Sequence, residues 1–320
     1  MSTPVLRPAS FPDDLEPIVA VLNAARPLHP RGVSELRHDL LNLAADLKPI
    51  FHIAVIRGRI VGLTEWQRNA GAYHPQRCSV ELCVHPDMQR RGIGRLLWRA
   101  LETELSQLAM LSVIVQVSED HASGLRFASE RGFYEIKRDF ESQLNVQSFD
   151  SSPFRALEAE LLKRGVTLRS WHDLDSPAFR LELHGVFSLA RLDVPRSVPA
   201  TPISFEFFER NILSDAEFLW DASFAALQDN RIVGFTGAYR GGADNLADQW
   251  LTAVTREARG QRIALALKVK QLEALQKLGF GAVRTDNDTR NAPMLAVNAR
   301  LGFERQMAVL VMQKDYAPQR

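Results

Sequence analysis

No run of about 18 apolar residues, the length a membrane-spanning helix needs, occurs in the 320-residue chain. The opening stretch, MSTPVLRPASFPDDLEP, has no apolar core of the kind a secretory leader carries and meets acids early, which points to a cytoplasmic protein. Charge of one sign is also lacking. Lys and Arg number 39 against 38 Asp and Glu, a net charge of +1, so no general attraction to nucleic acid or an anionic membrane is expected. There are only two cysteines, Cys78 and Cys83. Their odd spacing in one apolar strand puts them on opposite faces, which excludes a mutual disulfide and a shared metal site. They read as two small buried hydrophobes in a reducing compartment, and no metal is expected. The phosphate loop G-x-x-x-x-G-K-[ST] is absent, and Gly92-Ile93-Gly94 lacks the third glycine of G-x-G-x-x-G, with Leu97 in its place.

What is present is a repeat. Arg59-Ile60-Val61-Gly62-Leu63-Thr64 returns as Arg231-Ile232-Val233-Gly234-Phe235-Thr236, and Arg131-Gly132-Phe133 returns as Leu301-Gly302-Phe303. Leu6-Arg7 is answered by Leu168-Arg169. The three matches keep their order while the offset grows from 162 to about 171, so about ten extra residues enter early in the second copy. The stretch holding Pro195, Pro199 and Pro202 is the expected place for them. Each copy reads as an opening strand, acid-capped helices such as 13–25, and a hairpin turning at Arg57-Gly58 or Asp229-Asn230. A long strand, a loop, a helix (95–108; 265–278), a strand (112–118; 282–286) and a final helix ending in Gly-Phe follow. Residues 145–153 form a polar linker, and a connecting helix over 154–164 is stopped by Gly165.

One junction carries the chemistry. VELCVHPDMQRRGIGRLLWRALE passes from an apolar strand through a basic, glycine-bearing loop into an amphipathic helix. A helix starting near Gly94 points its free first-turn amides and the positive end of its dipole into that loop. Glycine lets the backbone come close to a ligand, and Arg90, Arg91 and Arg95 supply donors suited to phosphate oxygens. The result is an anion cradle of pyrophosphate size. The alternative is a solvated turn whose arginines face water.

The arrangement resembles the GNAT superfamily of acyl-CoA-dependent N-acetyltransferases, whose signature is a strand, Gln/Arg-x-x-Gly-x-Gly/Ala, and a helix. Gln89-Arg90-Arg91-Gly92-Ile93-Gly94 satisfies every position, and Gly132-Phe133 stands 40 residues after Gly92, where the family closes its last helix. With the plan repeated, the chain resembles the tandem-GNAT proteins. The resemblance implies an α/β fold of α+β type, with two tandem domains that are each a mixed, mostly antiparallel sheet flanked by helices. The domains would be residues 1–145 and 166–320, joined by a linker at 146–165. It further implies acetyl-CoA as co-substrate. Gln89, Arg90, Arg91, Gly92, Ile93, Gly94 and Arg95 would hold its pyrophosphate, the strand edge at Leu82, Cys83 and Val84 its pantetheine arm. His121, where the family usually has Asn, would border it.

The second loop reads Arg259-Gly260-Gln261-Arg262-Ile263-Ala264, with Arg262 in place of the central glycine. A bulky residue at positive φ costs roughly 1 to 2 kcal/mol there. Its side chain either occupies the phosphate site or pairs the phosphates while Gly260 takes the turn; a weakened second site is expected. Where the family often has a Tyr acid stand Ala128 and Asn298. In the family reaction an amine of pKa about 10 loses its proton to a base and attacks the thioester. The leaving thiolate, with a pKa near 8.5, needs little acid assistance. Glu81 and Glu65 are the candidate bases, and each also reads as a solvent-facing strand carboxylate. His121 is either a proton relay or a helix-start residue without chemistry. Asp248, aligned opposite Cys78, reads as a turn residue. The five tryptophans and Phe205 to Phe208 read as core more readily than as an acceptor pocket. The expected function is acetyl transfer to a primary amine of a small molecule by a monomer or homodimer. The alternatives are a non-catalytic acyl-CoA-binding protein and a protein or peptide N-acetyltransferase.

Overall fold

The computed structural model describes residues 3–27, 30–194, 199–242 and 245–316. In chain order the first copy holds β1 (Val5–Pro8), α1 (Leu15–Ala25), α2 (Val33–Asn42), β2 (Ile50–Ile56), β3 (Arg59–Gln67) and β4 (Arg77–Val84). It continues with α3 (Ile93–Gln107), β5 (Ser112–Ser118), α4 (Ala122–Ser129) and β6 (Tyr134–Asn145). The connecting helix α5 (Arg155–Leu162) follows. The second copy holds β7 (Val166–Ser170), α6 (Trp171–Leu174), α7 (Pro177–Asp193), α8 (Phe205–Phe208), β8 (Phe224–Gln228) and β9 (Arg231–Arg240). It ends with β10 (Leu246–Val254), α9 (Ile263–Lys277), β11 (Ala282–Asp288), α10 (Ala292–Leu301) and β12 (Glu304–Asp315).

The compact units do not follow the contiguous division of the chain. One comprises residues 1–137 and 309–320, the other residues 138–308. The reason is strand pairing: Val309–Asp315 of β12 run antiparallel to β5, while Asp139–Asn145 of β6 run antiparallel to β11. The last strand of each copy thus completes the other copy's sheet. The linker is no spacer, because Val146, Leu157 and Leu161 are buried in the second unit's core with Val166 and Ile263.

In the first unit the strands lie in the order β1-β2-β3-β4-β5-β12, in the second β6-β11-β10-β9-β8-β7. Pairing is antiparallel except for β4 with β5 and β10 with β11. The first sheet is covered on one face by α1 and α2, through Ile18, Leu22, Leu36, Ile53 and Leu63, and on the other by α3 and α4. Ile93, Leu97, Leu101 and Leu105 make the buried stripe of α3 at helical spacing. In the second unit an aromatic core under α7 and α8 contains Trp171, Phe187, Phe208, Phe218 and Phe235, so these rings are packed as core. Helix α7 is 17 residues long where α1 is 11, and it absorbs part of the expected insertion. Of the proline-rich stretch, residues 195–198 lie outside the described residues.

The recurring Arg-Ile-Val-Gly has a packing cause. A Cβ on Gly62 would come within 3.0 Å of the Cys83 carbonyl oxygen and 3.2–3.3 Å of Leu97 and Ile93. At Gly234 it would meet Ala253 O at 3.0 Å and Ile263 at 3.2 Å. Each glycine lets the long helix sit directly on the hairpin. Gly62→Val is therefore expected to destabilise the first unit by about 1–3 kcal/mol through overpacking. An unchanged thermal unfolding temperature would show that α3 can lift without cost.

Candidate active site

The first loop takes two left-handed residues, Arg90 at φ 61° and Gly92 at φ 82°, and Gly92 caps α3. Gln89 braces the turn by donating Nε2–H to Val84 O at 3.2 Å, and Arg91 donates to Asp87 O at 2.9 Å. Arg90, Arg91 and Arg95 have no carboxylate partner among the described residues. An unneutralised cationic loop therefore faces the free first-turn amides of α3.

Beside it, β4 and β5 pair only from Arg77↔Ser112 to Ser79↔Ile114 and then part. His85 donates its N–H to Val61 across the β3 side. By strand alternation, Leu82 and Val84 turn their peptide groups the other way, toward the parted edge, where an extended ligand can pair with them. Cys83 lies in the alternate register and is buried against the α1–α2 face, so its side chain packs in the core and is remote in orientation from that edge. A slot beside this edge is closed by one ring: a Cβ on Gly94 would be 3.5 Å from Phe127 and 3.7 Å from Leu82. The Arg131 guanidinium sits 3.3 Å over the Phe127 ring and donates to Phe127 O at 2.7 Å. His121 caps α4, exposed, with its ring against Gly124 and close to Val117 of the diverging β5. Ala128 is buried and carries no acid.

The two candidate bases differ. Glu65 and Glu81 stand directly opposite each other on β3 and β4. Glu65 is not the solvent-facing carboxylate that its strand position allows. Its side chain is 6% exposed, and Arg31 Nη1–H reaches both its oxygens at 3.0 Å. Arg31 also pairs with Asp39 at 2.6 Å and Glu35 at 3.4 Å, and its backbone is clamped by the Asn23 side chain. Burial pushes the Glu65 carboxyl above its ordinary value, with Arg31 opposing and Glu81 reinforcing the shift. Glu81 keeps 31% of its side chain exposed, pairs with Arg26 at the end of α1 at 2.9 Å, and accepts from the Cys83 thiol at 3.3 Å. Of the two, Glu81 is the one open to solvent. Arg26 and Arg31 were not foreseeable from spacing, because each pairs with a carboxylate 34 or more positions away.

The second copy repeats the backbone and changes the charges. Gly260 at φ 77° and Arg262 at φ 65° are both left-handed, so glycine and arginine have exchanged places within one turn shape. Arg259 braces Val254 O at 3.2 Å as Gln89 braces Val84. Arg262 does not enter the cradle; its guanidinium leans to Glu160 at 3.7 Å. Leu251 takes the place of Glu81 on the sheet, since it pairs with Gly237 as Glu81 pairs with Glu65. Asp248 is no turn residue and does not match Cys78. A bulge between Gln249 and Leu251 shifts the register, and Asp248 lies within β10 with a two-pronged bond to Arg284 at 2.7 and 2.8 Å. Close by, Glu141 of β6 is pushed up to about 7, chiefly by burial. Lys268, at the place of Trp98, is 1% exposed and donates to Asn298, which donates to Asn287 at 2.6 Å. Among the described residues no group of three or more His, Cys, Asp or Glu is arranged to hold a metal, and no helix is long and apolar enough to cross a membrane.

A strand, a cationic glycine turn and a helix whose amides overlook two parting strands together make an anion cradle beside an open strand edge. The model of the acetyltransferase (GNAT) family matches residues 18–133. A tandem GNAT protein from the clavulanic acid biosynthesis pathway is similar over 99% of this chain and all of its own, with a TM-score of 0.78 at 20% identity. A GNAT-type N-acetyltransferase from Sphaerobacter thermophilus is similar over 98% of this chain and 95% of its own, with a TM-score of 0.70 at 17% identity. The whole chain thus has the fold of two tandem GNAT domains, and its first copy also matches the acetyltransferase (GNAT) family in sequence. Among curated relatives, the mycothiol acetyltransferase of Thermomonospora curvata is 28% identical over 242 residues, 75% of this chain and 74% of that protein. That of Amycolatopsis mediterranei is 23% identical over 266 residues, 79% and 80% of the two chains.

Lys268 yields a pH prediction. Its burial without a counter-charge brings the ammonium down to about 7 from 10.5. Between those values the unfolded chain holds a proton that the folded chain lacks, so stability from this residue rises with pH there, by up to about 1.4 kcal/mol per unit. The buried thiols act the other way: burial raises Cys78 to about 12, and such a group loses stability as pH climbs past the unfolded thiol's value. Comparing denaturant unfolding of wild type and Lys268→Met at pH 7 and 9 isolates the lysine. The Met variant is expected to gain most at pH 7, and equal gains at both pH values would mean that Lys268 is charged in the fold.

Proposed function

We propose that the chain is an acetyl-CoA-dependent N-acetyltransferase whose first copy transfers an acetyl group to a primary amine of a small molecule. The observation that carries this is the coincidence of an unneutralised arginine loop with a parted strand edge and a reachable carboxylate on one strand, β4. The second copy supports it by contrast, since Leu251 replaces that carboxylate and an aromatic core fills the face beneath. A small-molecule acceptor accords with the curated relatives, which are mycothiol acetyltransferases.

Acetyl-CoA supplies the thioester whose carbonyl carbon receives the amine's lone pair. In this reading the loop amides with Arg90 and Arg95 bind the pyrophosphate, and the Leu82 and Val84 peptide groups align the pantetheine arm. A β4 peptide N–H polarises the thioester carbonyl. Glu81 takes the proton from the ammonium, directly or through water, and Arg26 holds the carboxylate in place. As the amide forms and the carbon–sulfur bond breaks, the attacking nitrogen gives up its second proton, through water, to the departing CoA thiolate, so no phenolic acid is needed at the place of Ala128. Glu65, tied up by Arg31, supports the wall beside Glu81. His121 at the α4 cap borders the slot.

Gly92→Glu is expected to abolish acetyl-CoA binding in calorimetry, because it puts a carboxylate into the cradle. Glu81→Gln is expected to keep that binding while lowering kcat by about 10²–10⁴-fold, read as release of free CoA thiol with an amine library. Binding without thiol release by wild type would identify an acyl-CoA-binding protein, and release with peptides alone a peptide acetyltransferase.

A further inference from the structure

Helix α7 carries a face that the rest of the chain leaves uncovered. Its buried row is Phe179, Leu183, Phe187 and Arg191, at helical spacing. On the opposite side Ala178, Leu181, Gly185, Leu189 and Leu192 form a second row within an arc of about 80°. All five are exposed, Leu181 by 59%, Leu189 by 68% and Leu192 by 64%. A surface helix ordinarily turns charge toward water, yet this outward row holds none. Helix α1, the corresponding helix of the first copy, exposes Glu16, Pro17 and Ala20 and no leucine.

The charged residues of α7 are all engaged within the second unit. Arg180 binds Asp175 at 2.6 Å and Glu209 at 3.3 Å, and Glu182 binds Arg231 at 2.7 Å. Arg191 is buried and donates to Thr201 O at 2.9 Å, and Asp193 accepts from Arg256 and Arg259. The row therefore offers no charge to a nucleic acid or a charged partner, nor the lysines and arginines with which an interfacial helix holds anionic lipid. What it offers is an apolar strip with a gap at its middle. Gly185 is a poor helix former in mid-helix. A Cβ there would meet nothing within 4 Å among the described residues, so no contact inside the chain calls for the glycine. A glycine on an open helix face admits the close approach of another backbone.

The row is apolar in both directions from Gly185: Leu181 and Leu189 stand four residues to either side, Ala178 and Leu192 seven. Leu181–Gly185–Leu189 is an i±4 ridge, and two such ridges run together when helices cross at about −50°. With a two-fold axis at Gly185, a second α7 runs antiparallel and each Leu181 meets the partner's Leu189. A face that complements itself is what an isologous dimer requires. Helix α7 has 17 residues and is about 25 Å long, so the seam belongs with interfaces of under about 1,200 Å² in total and a dissociation constant of about 1–100 µM is expected.

We infer that the outward face of α7 is a homodimer interface, at which two copies of the chain cross antiparallel at Gly185 about a two-fold axis. The inference goes beyond acetyl transfer and does not depend on it. Sedimentation equilibrium of the full chain over about 1 to 300 µM should show the mass rise from 36.0 kDa toward twice that value. Leu181→Lys and Leu189→Glu, each at an exposed position, should keep the wild-type circular dichroism and unfolding midpoint and raise the dissociation constant at least tenfold. Mixed in equal amounts, the two variants should dimerise again, because the introduced ammonium of one chain faces the introduced carboxylate of the other. Gly185→Leu, which fills the gap, repeats the test should either variant not fold. A wild type that stays monomeric throughout would overturn the interface, and so would a dimer that survives both single variants. A mixture that stays monomeric would overturn the antiparallel crossing at Gly185. A monomer that floats with vesicles of phosphatidylcholine and phosphatidylglycerol, and no longer does so as Leu189→Glu, would replace the second copy by a membrane surface.

Discussion

The candidate site depends on how closely one helix can approach one strand. At Gly62, and again at Gly234, there is no room for a single additional carbon between helix and hairpin. That contact sets the height of α3 over the sheet, and with it the direction of the helix's free amides. Had the helix been held a side chain further away, the amides would overlook the hairpin's solvent side and not the gap where β4 and β5 part. The glycine pair of the loop has a different duty. It turns the chain sharply enough to enter a helix already lying flat on the sheet, and for this a left-handed backbone matters more than the identity of the residue that adopts it. This is why arginine and glycine can trade places between Arg90/Gly92 and Gly260/Arg262 with the shape intact.

Duplication left two similar frames that use electrostatics in opposite ways. In the first unit the loop arginines have no carboxylate partner among the described residues, and a buried ion cluster lies on the α1–α2 face around Arg31. In the second the loop cations are satisfied internally, and the interior has become polar in places where the first is apolar. Gln271, where the first copy has Leu101, donates to Ala222 O at 3.0 Å and meets Thr236 at 3.2 Å. A buried lysine replaces a tryptophan. Such groups are costly unless paired, and hydrogen bonds to neutral amides are what the second core offers them.

The sequence made the helices, the hairpins and the loop legible because each is set by neighbours a few positions apart: helical spacing in α3, positive-φ residues at Arg57-Gly58, a Gln or Arg able to reach back to the strand it has just left. Long-range choices were not legible. The ion pairs of Glu65 and Glu81 link segments whose separation carries no periodic signal. Asp248 was misplaced by a single inserted residue in β10, which changes which face a side chain takes. The final strands β6 and β12 are equivalent in the repeat, so nothing local decides which sheet each should join.

That exchange of final strands has a consequence for biosynthesis. The first sheet is open along β5 when residue 118 leaves the ribosome, and the segment that closes it, residues 309–315, is made about 190 residues later. At translation speeds of about 5–20 residues per second, the edge waits roughly 10 to 40 seconds with its backbone unpaired. The second unit, by contrast, is contiguous from 138 to 308 and finds every strand it needs already synthesised. The order of completion is therefore the reverse of the order of synthesis. The nascent first half must be kept from pairing with a neighbouring chain until residues 309–315 arrive.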